Sequence, residues 1–369
     1  MEVIVKLYIF LFITLISLAS FAKDIERKPA SIKSFDGFPL DALIELPQGL
    51  NKNDIKKLVV FVHGSGPQSL DEDLSAITIP KGSTNLFFRD VADALLKAKI
   101  ATIRYNKRAY EAKKRIEVNP DYKNSEEFKK YAEHPLEYFI KDCAFFVDYA
   151  QKEFPNAEVY ILGHSEGTGV ALNVARDKKF VKGTILIGFS NESISSSILE
   201  QTVYRQLNFF SDLDKNKDDF LSANELKGKE EPAKSIREQM AILDLNGDKK
   251  VSLSEYKAGN YSNLIMRNDL YNQPYLVDEA KLPRPSEIIK SASFKILFLQ
   301  GEYDNQTPAY YAQSVELINK LVWKKKELKF VYFEKAGHAL DPRDNINDLN
   351  YRIVPTETLN KISKEIAEF

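Results

Sequence analysis

A serine flanked at two residues' distance by glycines, Gly163-His164-Ser165-Glu166-Gly167, can present a hydroxyl for nucleophilic attack if a base and an acid can reach it. Near neutral pH such a hydroxyl is a weak nucleophile until an imidazole takes its proton, and the imidazole needs a carboxylate to hold its tautomer. The chain has four histidines. His63 follows an apolar run, His134 precedes Pro135 in a charged stretch, and His164 adjoins the serine, where the turn should direct its side chain elsewhere. His338, just after the last apolar run, is left as the expected base. Asp304 is the expected acid, with Glu302 as its rival, and gives the chain order Ser, Asp, His. The developing oxyanion needs two N–H donors, each worth about 3 kcal/mol. Glu166, immediately after the nucleophile, should supply one, and the backbone of Ser65 in His63-Gly64-Ser65-Gly66 the other.

These groups must be carried by a sheet. Val159-Tyr160-Ile161-Leu162 ahead of the serine reads as a buried strand, and Thr168 to Ala175 after it as a buried helix. The glycines then allow strand and helix to approach closely around a strained serine. Ser31–Phe35 and Leu40–Leu46, joined at Asp36-Gly37, read as a hairpin. Leu58–Val62 is a continuous apolar run of the kind buried on both faces of a parallel sheet, and Ile100–Tyr105, Gly183–Ile187, Lys295–Gln300 and Phe330–Phe333 follow as further strands. Helices are expected over Leu86–Lys97, Leu136–Glu153, Pro308–Val322 and Thr356–Phe369, with 119–135 as a charged surface excursion. Alternation of this kind means a mostly parallel, doubly wound α/β sheet. Ligands of such sheets bind at the carboxyl ends of the strands, where His338 and Asp304 fall.

With these residues in place, the chain resembles the α/β-hydrolase superfamily over Ser31–Ser190 and Lys295–Phe369. His63-Gly64-Ser65-Gly66-Pro67, together with Arg104-Tyr105-Asn106-Lys107-Arg108, is similar to the serine esterase branch near the dienelactone-hydrolase-like and acyl-thioesterase-like enzymes. The resemblance implies a small-molecule carboxylic ester as substrate and an acyl-enzyme on Ser165. Asn106 stands where many relatives carry Asp. Peptidases share the superfamily and its triad, so an amide substrate is the alternative.

Alternation stops near Ser190 and resumes at Lys295, so 191–290 is expected to be a helical insertion in the position of a lid. Within it, Asp214, Asn216, Asp218, Ser222 and Glu225 fall at positions 1, 3, 5, 9 and 12 of a loop, and Asp244, Asn246, Asp248, Ser252 and Glu255 repeat that spacing. Phe220 and Lys250 occupy position 7, where a backbone carbonyl completes the set. Both loops resemble EF-hands, which implies Ca²⁺ as a structural cofactor. Leu221 and Val251 at position 8 should pair the loops back to back. Position 6 departs from the usual glycine: Asp219 and Lys249 must take a positive φ there, at about 1 kcal/mol each. Lys215, Lys217, Lys249 and Lys250 dilute the negative charge, so the expected dissociation constants are on the order of 10⁻⁴ to 10⁻³ M.

The remaining partners follow from charge and from the start of the chain. Fifty-two basic against 53 acidic residues leave a formal net charge of −1, which gives no bulk attraction to nucleic acid or anionic membrane. Lys6 precedes an uncharged run, Leu7–Ala22, that ends in Ser20-Phe21-Ala22. That pattern predicts a signal peptide over 1–22, cleavage after Ala22, export to a periplasmic or extracellular space, and no stable membrane anchor afterwards. The expected organisation is then 1–22 as signal peptide, 23–190 and 291–369 as two parts of one hydrolase core, and 191–290 as the lid insertion. Cys143, the only cysteine, lies in a helical pattern and is expected in the core. A calcium-dependent binding protein on a disused scaffold is the alternative of another class, and the full set of nucleophile, base, acid and oxyanion loop weighs against it.

Overall fold

Among the described residues ten strands organise the chain, and eight of them form one sheet. In chain order they are β1 (Ala30–Lys33), β2 (Pro39–Glu45), β3 (Lys57–Val62), β4 (Ala101–Tyr105), β5 (Glu158–His164), β6 (Gly183–Ile187), β7 (Phe220–Leu221), β8 (Val251–Ser252), β9 (Lys295–Gly301) and β10 (Leu328–Phe333). This computed structural model describes residues 29–229, 231–267 and 273–369. The large sheet runs β1-β2-β4-β3-β5-β6-β9-β10. The β1–β2 and β2–β4 pairs are antiparallel, and every pair from β4 to β10 is parallel.

The continuous apolar strands are explained by burial on both faces. Leu58, Val60 and Val62 of β3 face a layer containing Phe146, Val147 and Phe154, whereas Val59 and Phe61 face Phe88, Val91 and Leu95. Helices Pro135–Glu153 and Glu166–Asp177 cover the first face, and Phe87–Lys97 and Thr356–Glu368 cover the second. Cys143 is buried in the first layer as a free thiol.

Two expectations need correction. The stretch 119–135 is more ordered than a surface excursion: a 3₁₀ turn at Pro120–Asn124 is followed by a helix at Glu126–Glu133. Ser125 caps that helix by accepting a hydrogen bond from the Phe128 N–H, and Tyr122, Phe128 and Tyr131 stack edge to face. The helix after Pro308 runs from Tyr310 to Ile318, then widens into a π-turn over Asn319–Trp323 that stops at Lys324 with φ 57°.

Between β6 and β9 the chain leaves the sheet. Helix Ile194–Leu199, a π-turn at Glu200–Tyr204 and helix Arg205–Leu213 form one continuous rod. Beyond it lies a separate small core of Phe210, Leu213, Leu221, Leu226, Ile236, Leu243, Val251 and Tyr256. β7 and β8 pair antiparallel at its centre, with Leu221 opposite Val251 as the loop spacing predicts. Helices Gln273–Glu279 and Pro285–Ser291 return to the main core. The segment read as a signal peptide lies outside the described residues. No helix among the described residues is long and apolar enough to cross a membrane.

Candidate active site

Ser165 sits at a kink between β5 and the helix Glu166–Asp177, with φ 54° and ψ −122°. A non-glycine residue in that region is strained, and the neighbouring contacts over-determine it. The Ser165 N–H donates to the Ile187 carbonyl at 2.9 Å, and its carbonyl accepts from the Thr168 N–H at 2.9 Å and the Thr168 hydroxyl at 2.6 Å. The flanking glycines are required sterically. A Cβ on Gly163 would fall 2.3 Å from the Gly167 carbonyl oxygen, and one on Gly167 would fall 2.2 Å from that of Val62.

Asp304 and His338, read from sequence as acid and base, meet: Nδ1 of His338 is 2.8 Å from Oδ2 of Asp304, and both residues are buried. Glu302 is exposed, and the carboxylate that meets His338 is that of Asp304. Five donors converge on the Asp304 carboxylate. Oδ1 accepts from the N–H groups of Gln306 and Thr307, each at 2.9 Å, and Oδ2 from Gln300 Nε2 at 3.0 Å, the Thr307 hydroxyl at 2.8 Å and His338. Burial opposes its charge, but the positive field and hydrogen bond of His338, with the two backbone N–H groups, hold its pKa below the usual carboxylate range. Gly188, with φ +61°, lets the imidazole lie against the backbone after β6, since a Cβ there would be 2.8 Å from His338 Cε1. The ring of His338 is 4.8 Å, centre to centre, from that of His164, the residue before the nucleophile.

The other histidines are accounted for. His63 is fully buried between Phe88 and Tyr105, and desolvation pushes its pKa down to about 4, so it is neutral and no base. His134 lies at the start of the Pro135 helix, 3.0 Å from Asp278. His164 does not simply turn away as expected. Its Nδ1 is 2.8 Å from Glu72 Oε1 and its Nε2 is 3.2 Å from the His338 carbonyl oxygen. Sequence reasoning missed Glu72 entirely, because it lies 92 residues from its partner in a loop with no periodicity and takes φ 46°.

Ser65 and Glu166 both line the cavity that opens at Ser165. The Glu166 carboxylate accepts from Lys107 Nζ at 3.0 Å and from the Tyr275 hydroxyl at 2.5 Å. Lys107 Nζ also donates to the Gly64 carbonyl at 2.9 Å, so one ammonium ties the loop after β3 to the turn bearing Ser165. Asn106 is a hinge of hydrogen bonds: its Oδ1 accepts from the Leu70 N–H and its Nδ2 donates to Glu111. An aspartate there would need a protonated oxygen to make the second bond. The cavity has a volume of about 780 Å³. Leu136, Phe139 and Val170 of the sheet-covering helices line one side, and Ile194, Ile198 and Leu276 of the 191–290 segment line the other.

Each of the two acidic loops of that segment is closed by hydrogen bonds of its own. Asp219 and Lys249 at position 6 have φ 62° and 65°, as the missing glycines require. Asp214 Oδ2 accepts from the Asp219 N–H at 3.0 Å, and Asp244 Oδ2 from that of Lys249 at 2.8 Å. Oε2 of Glu225 accepts from the N–H of Ser222 at 2.9 Å, and Oε2 of Glu255 from that of Ser252 at 2.8 Å. Asn216 and Asn246 each accept from the N–H two residues on, at Asp218 and Asp248, and the N–H groups of Phe220 and Lys250 bond in turn to those two carboxylates. The side-chain acceptors in these bonds are all carboxylate or amide oxygens, a chemistry suited to a hard cation.

Comparison with known proteins agrees with the fold. The family described as the alpha/beta hydrolase fold matches residues 57–340. Esterase EstD of Thermotoga maritima is 30% identical over 148 residues, which are 40% of this chain and 30% of that protein. The match therefore spans about a third of the curated relative's length. Among solved structures, Est1E from Butyrivibrio proteoclasticus superposes with a TM-score of 0.49 at 15% identity, covering 92% of this chain and 98% of that one. The esterase domain of a Rhodothermus marinus protein gives a TM-score of 0.47 at 12% identity, covering 93% and 99%. With a strained serine between β5 and its helix, a buried Asp–His pair at the carboxyl ends of the later strands and a family match over most of its length, the chain belongs to the α/β-hydrolase fold family.

Proposed function

We propose that the protein is a serine hydrolase that cleaves carboxylic esters through an acyl-enzyme on Ser165. The observation that carries this reading is the buried Asp304–His338 pair, 2.8 Å apart, with the imidazole ring 4.8 Å from that of His164, the residue before a serine held at φ 54°. Asp304 fixes the proton of His338 on Nδ1, which leaves Nε2 free to take the Ser165 proton as the hydroxyl attacks the ester carbon. The tetrahedral oxyanion is held by the backbone N–H groups of Glu166 and Ser65, and the Glu166 N–H also opens a helix whose positive end favours negative charge. His338 then gives its proton to the departing alcohol, and water repeats the cycle to release the acid. The 191–290 segment acts as a lid: its Tyr275 reaches the Glu166 carboxylate, and its apolar side chains close the cavity over the acyl group. The experiment is labelling with a fluorophosphonate, which should mark the wild type and not Ser165→Ala. A panel of p-nitrophenyl acyl esters against aminoacyl anilides then separates esterase from peptidase. Unchanged labelling of Ser165→Ala would remove the mechanism, and preferred turnover of the anilides would transfer it to amides.

The same reading includes calcium as a structural cofactor. Asp214, Asn216, Asp218, Phe220, Ser222 and Glu225 would hold one ion, and Asp244, Asn246, Asp248, Lys250, Ser252 and Glu255 the other, with the position-7 residues contributing carbonyls. Support comes from the all-oxygen side-chain donor set, the positive φ at both sixth positions and the Leu221–Val251 pairing. At free calcium tenfold above the dissociation constant each site would stabilise the fold by about 1.4 kcal/mol. Thermal unfolding of the full chain in millimolar calcium against chelator tests this, and a melting temperature that calcium leaves unmoved removes the ion. Export, with cleavage after Ala22, belongs to the proposal because extracellular calcium would fill such weak sites, and N-terminal sequencing of the mature protein tests it.

A further inference from the structure

The mechanism uses His338 and Asp304, yet a second buried carboxylate–imidazole pair lies directly behind them. Glu72 and His164 are 1% and 2% exposed. One oxygen of Glu72, Oε1, accepts from the Gly64 N–H at 3.0 Å and lies 2.8 Å from His164 Nδ1. The other ring nitrogen, Nε2, lies 3.2 Å from the His338 carbonyl oxygen. Gly64 is required for this approach, since a Cβ there would fall 2.8 Å from that carboxylate oxygen and 3.3 Å from Ser165 Cβ. A single oxygen thus touches the loop after β3 that carries Ser65 and, through one imidazole, the backbone of the base itself.

The chemistry of the partners fixes the protonation of this ring. An ionised carboxylate and a backbone carbonyl can only accept hydrogen bonds. A neutral imidazole has one N–H, so one of its two contacts would set a lone pair against a lone pair. With Glu72 ionised, both contacts are satisfied only when both ring nitrogens carry protons; a Glu72 that donated its own proton to Nδ1 would satisfy them with a neutral ring, and the ring nitrogen shifts tell the two apart. We propose that His164 is a permanently charged positioning residue, an imidazolium held by Glu72, that fixes the oxyanion loop and the His338 backbone relative to each other. It touches no reacting atom and acts through the base, so this inference rests on the serine-hydrolase reading above.

The surroundings agree. Burial opposes the charge on His164, but the Glu72 carboxylate outweighs it and raises the His164 pKa above the ordinary histidine value, while that of Glu72 is lowered by the imidazolium despite its own burial. The charged and titratable groups facing the pair are Asp304 and His338 on the base side and His63 on the side of the loop after β3, and the rings of Phe87 and Phe88 close the remaining sides. His63 is neutral, because desolvation lowers its pKa to about 4, so it adds no competing positive charge.

With only four histidines, ¹⁵N-histidine NMR of the wild-type protein reads this state directly. At pH 8, where an ordinary histidine is neutral, both ring nitrogens of His164 should show the shifts of protonated nitrogen; a pyridine-type nitrogen in that ring overturns the proposal. The functional arm is Glu72→Gln, which keeps an acceptor for the Gly64 N–H but removes the charge. The ring then becomes neutral and Nε2 faces the His338 carbonyl without a proton. Ester kcat should fall at least tenfold with KM within about threefold, because the base is displaced while the cavity is not. Unchanged kcat in a folded Glu72→Gln protein refutes positioning, and the NMR result on the wild type decides if that variant does not fold. Loss of fluorophosphonate labelling from the wild type would instead strike the serine mechanism, leaving the protonation state of His164 measurable.

Discussion

Replacing Asp304 by asparagine tests the site at its most constrained point. All five contacts on the carboxylate are donors, two on Oδ1 and three on Oδ2. Asparagine brings one acceptor oxygen and an NH₂ group that must face donors whichever way it is set. The Oδ1 side receives two backbone N–H groups that cannot turn, so the oxygen is kept there and the NH₂ takes the Oδ2 side. The Thr307 hydroxyl can rotate away and accept instead. His338 has one remedy, which is to move its proton from Nδ1 to Nε2 and accept at Nδ1. That tautomer cannot take a proton from Ser165. Substitutions of this kind that preserve geometry but invert the tautomer cost about 10⁴-fold in kcat, or about 5 kcal/mol of transition-state stabilisation. Steady-state hydrolysis of p-nitrophenyl butyrate should show the loss in kcat with KM nearly constant, and far-UV circular dichroism should match the wild type. A folded Asp304→Asn enzyme retaining kcat within tenfold of wild type would refute the tautomer argument.

Three further outcomes follow from the contacts around the site and the core. Gly188→Ala combines a φ of +61° with a Cβ 2.8 Å from His338 Cε1, so it should destabilise the protein by about 1 kcal/mol and lower kcat about 100-fold through displacement of the base; urea unfolding and ester kinetics check the two effects, and a wild-type kcat contradicts the packing. Asp142, buried, accepts from Arg108 at 2.7 and 2.9 Å and from the Ser34 hydroxyl at 2.5 Å. Asp142→Ala takes two charged hydrogen bonds from a buried guanidinium that keeps its pair with Asp36, both bonds at 2.9 Å, and should cost about 1.5–3 kcal/mol in urea unfolding; a loss below about 1 kcal/mol would show the bonds to Asp142 to be inessential. The folded pKa of Asp304 lies below its unfolded value of about 3.9, so its stabilising contribution is complete above that value and is lost as pH falls through the depressed folded pKa. The stability difference between wild type and Asp304→Asn should therefore be flat above about pH 5 and shrink below about pH 4, and a difference that widens on acidification would reverse the sign.

Much of the site is legible in the amino-acid sequence because its residues lie at strand ends. Ser165 announces itself by glycines that prove sterically obligatory, and His338 and Asp304 by following the last two buried runs. The hairpin, the parallel strands and the pairing of Leu221 with Val251 are legible for the same reason: period and turn chemistry are local. Contact between distant loops is not. Glu72 meets His164 across 92 residues, Tyr275 meets Glu166 across 109, and Lys107 bridges Gly64 and Glu166 across 43 and 59. None of these residues carries a periodic signal, and each has an unremarkable role until the sheet brings it home. The short helix at Glu126–Glu133 is hidden by its charge, because its aromatic contacts, and not an apolar stripe, hold it in place.

The departure and return of the 191–290 segment have a consequence for how the architecture tolerates change. β6 and β9 are hydrogen-bonded neighbours in direct register, Gly183 opposite Lys295 and Ile187 opposite Leu299. A roughly hundred-residue detour therefore starts and finishes on adjacent strands, and the sheet needs nothing from it to stay continuous. Closing so long a detour costs about 4 kcal/mol of chain entropy by polymer scaling, and the excursion's private cluster around Phe210, Leu221 and Val251 is what offsets that cost. Such a junction behaves as a socket: material of quite different size and chemistry can be exchanged there while Ser165, Asp304 and His338 keep their places at the strand ends.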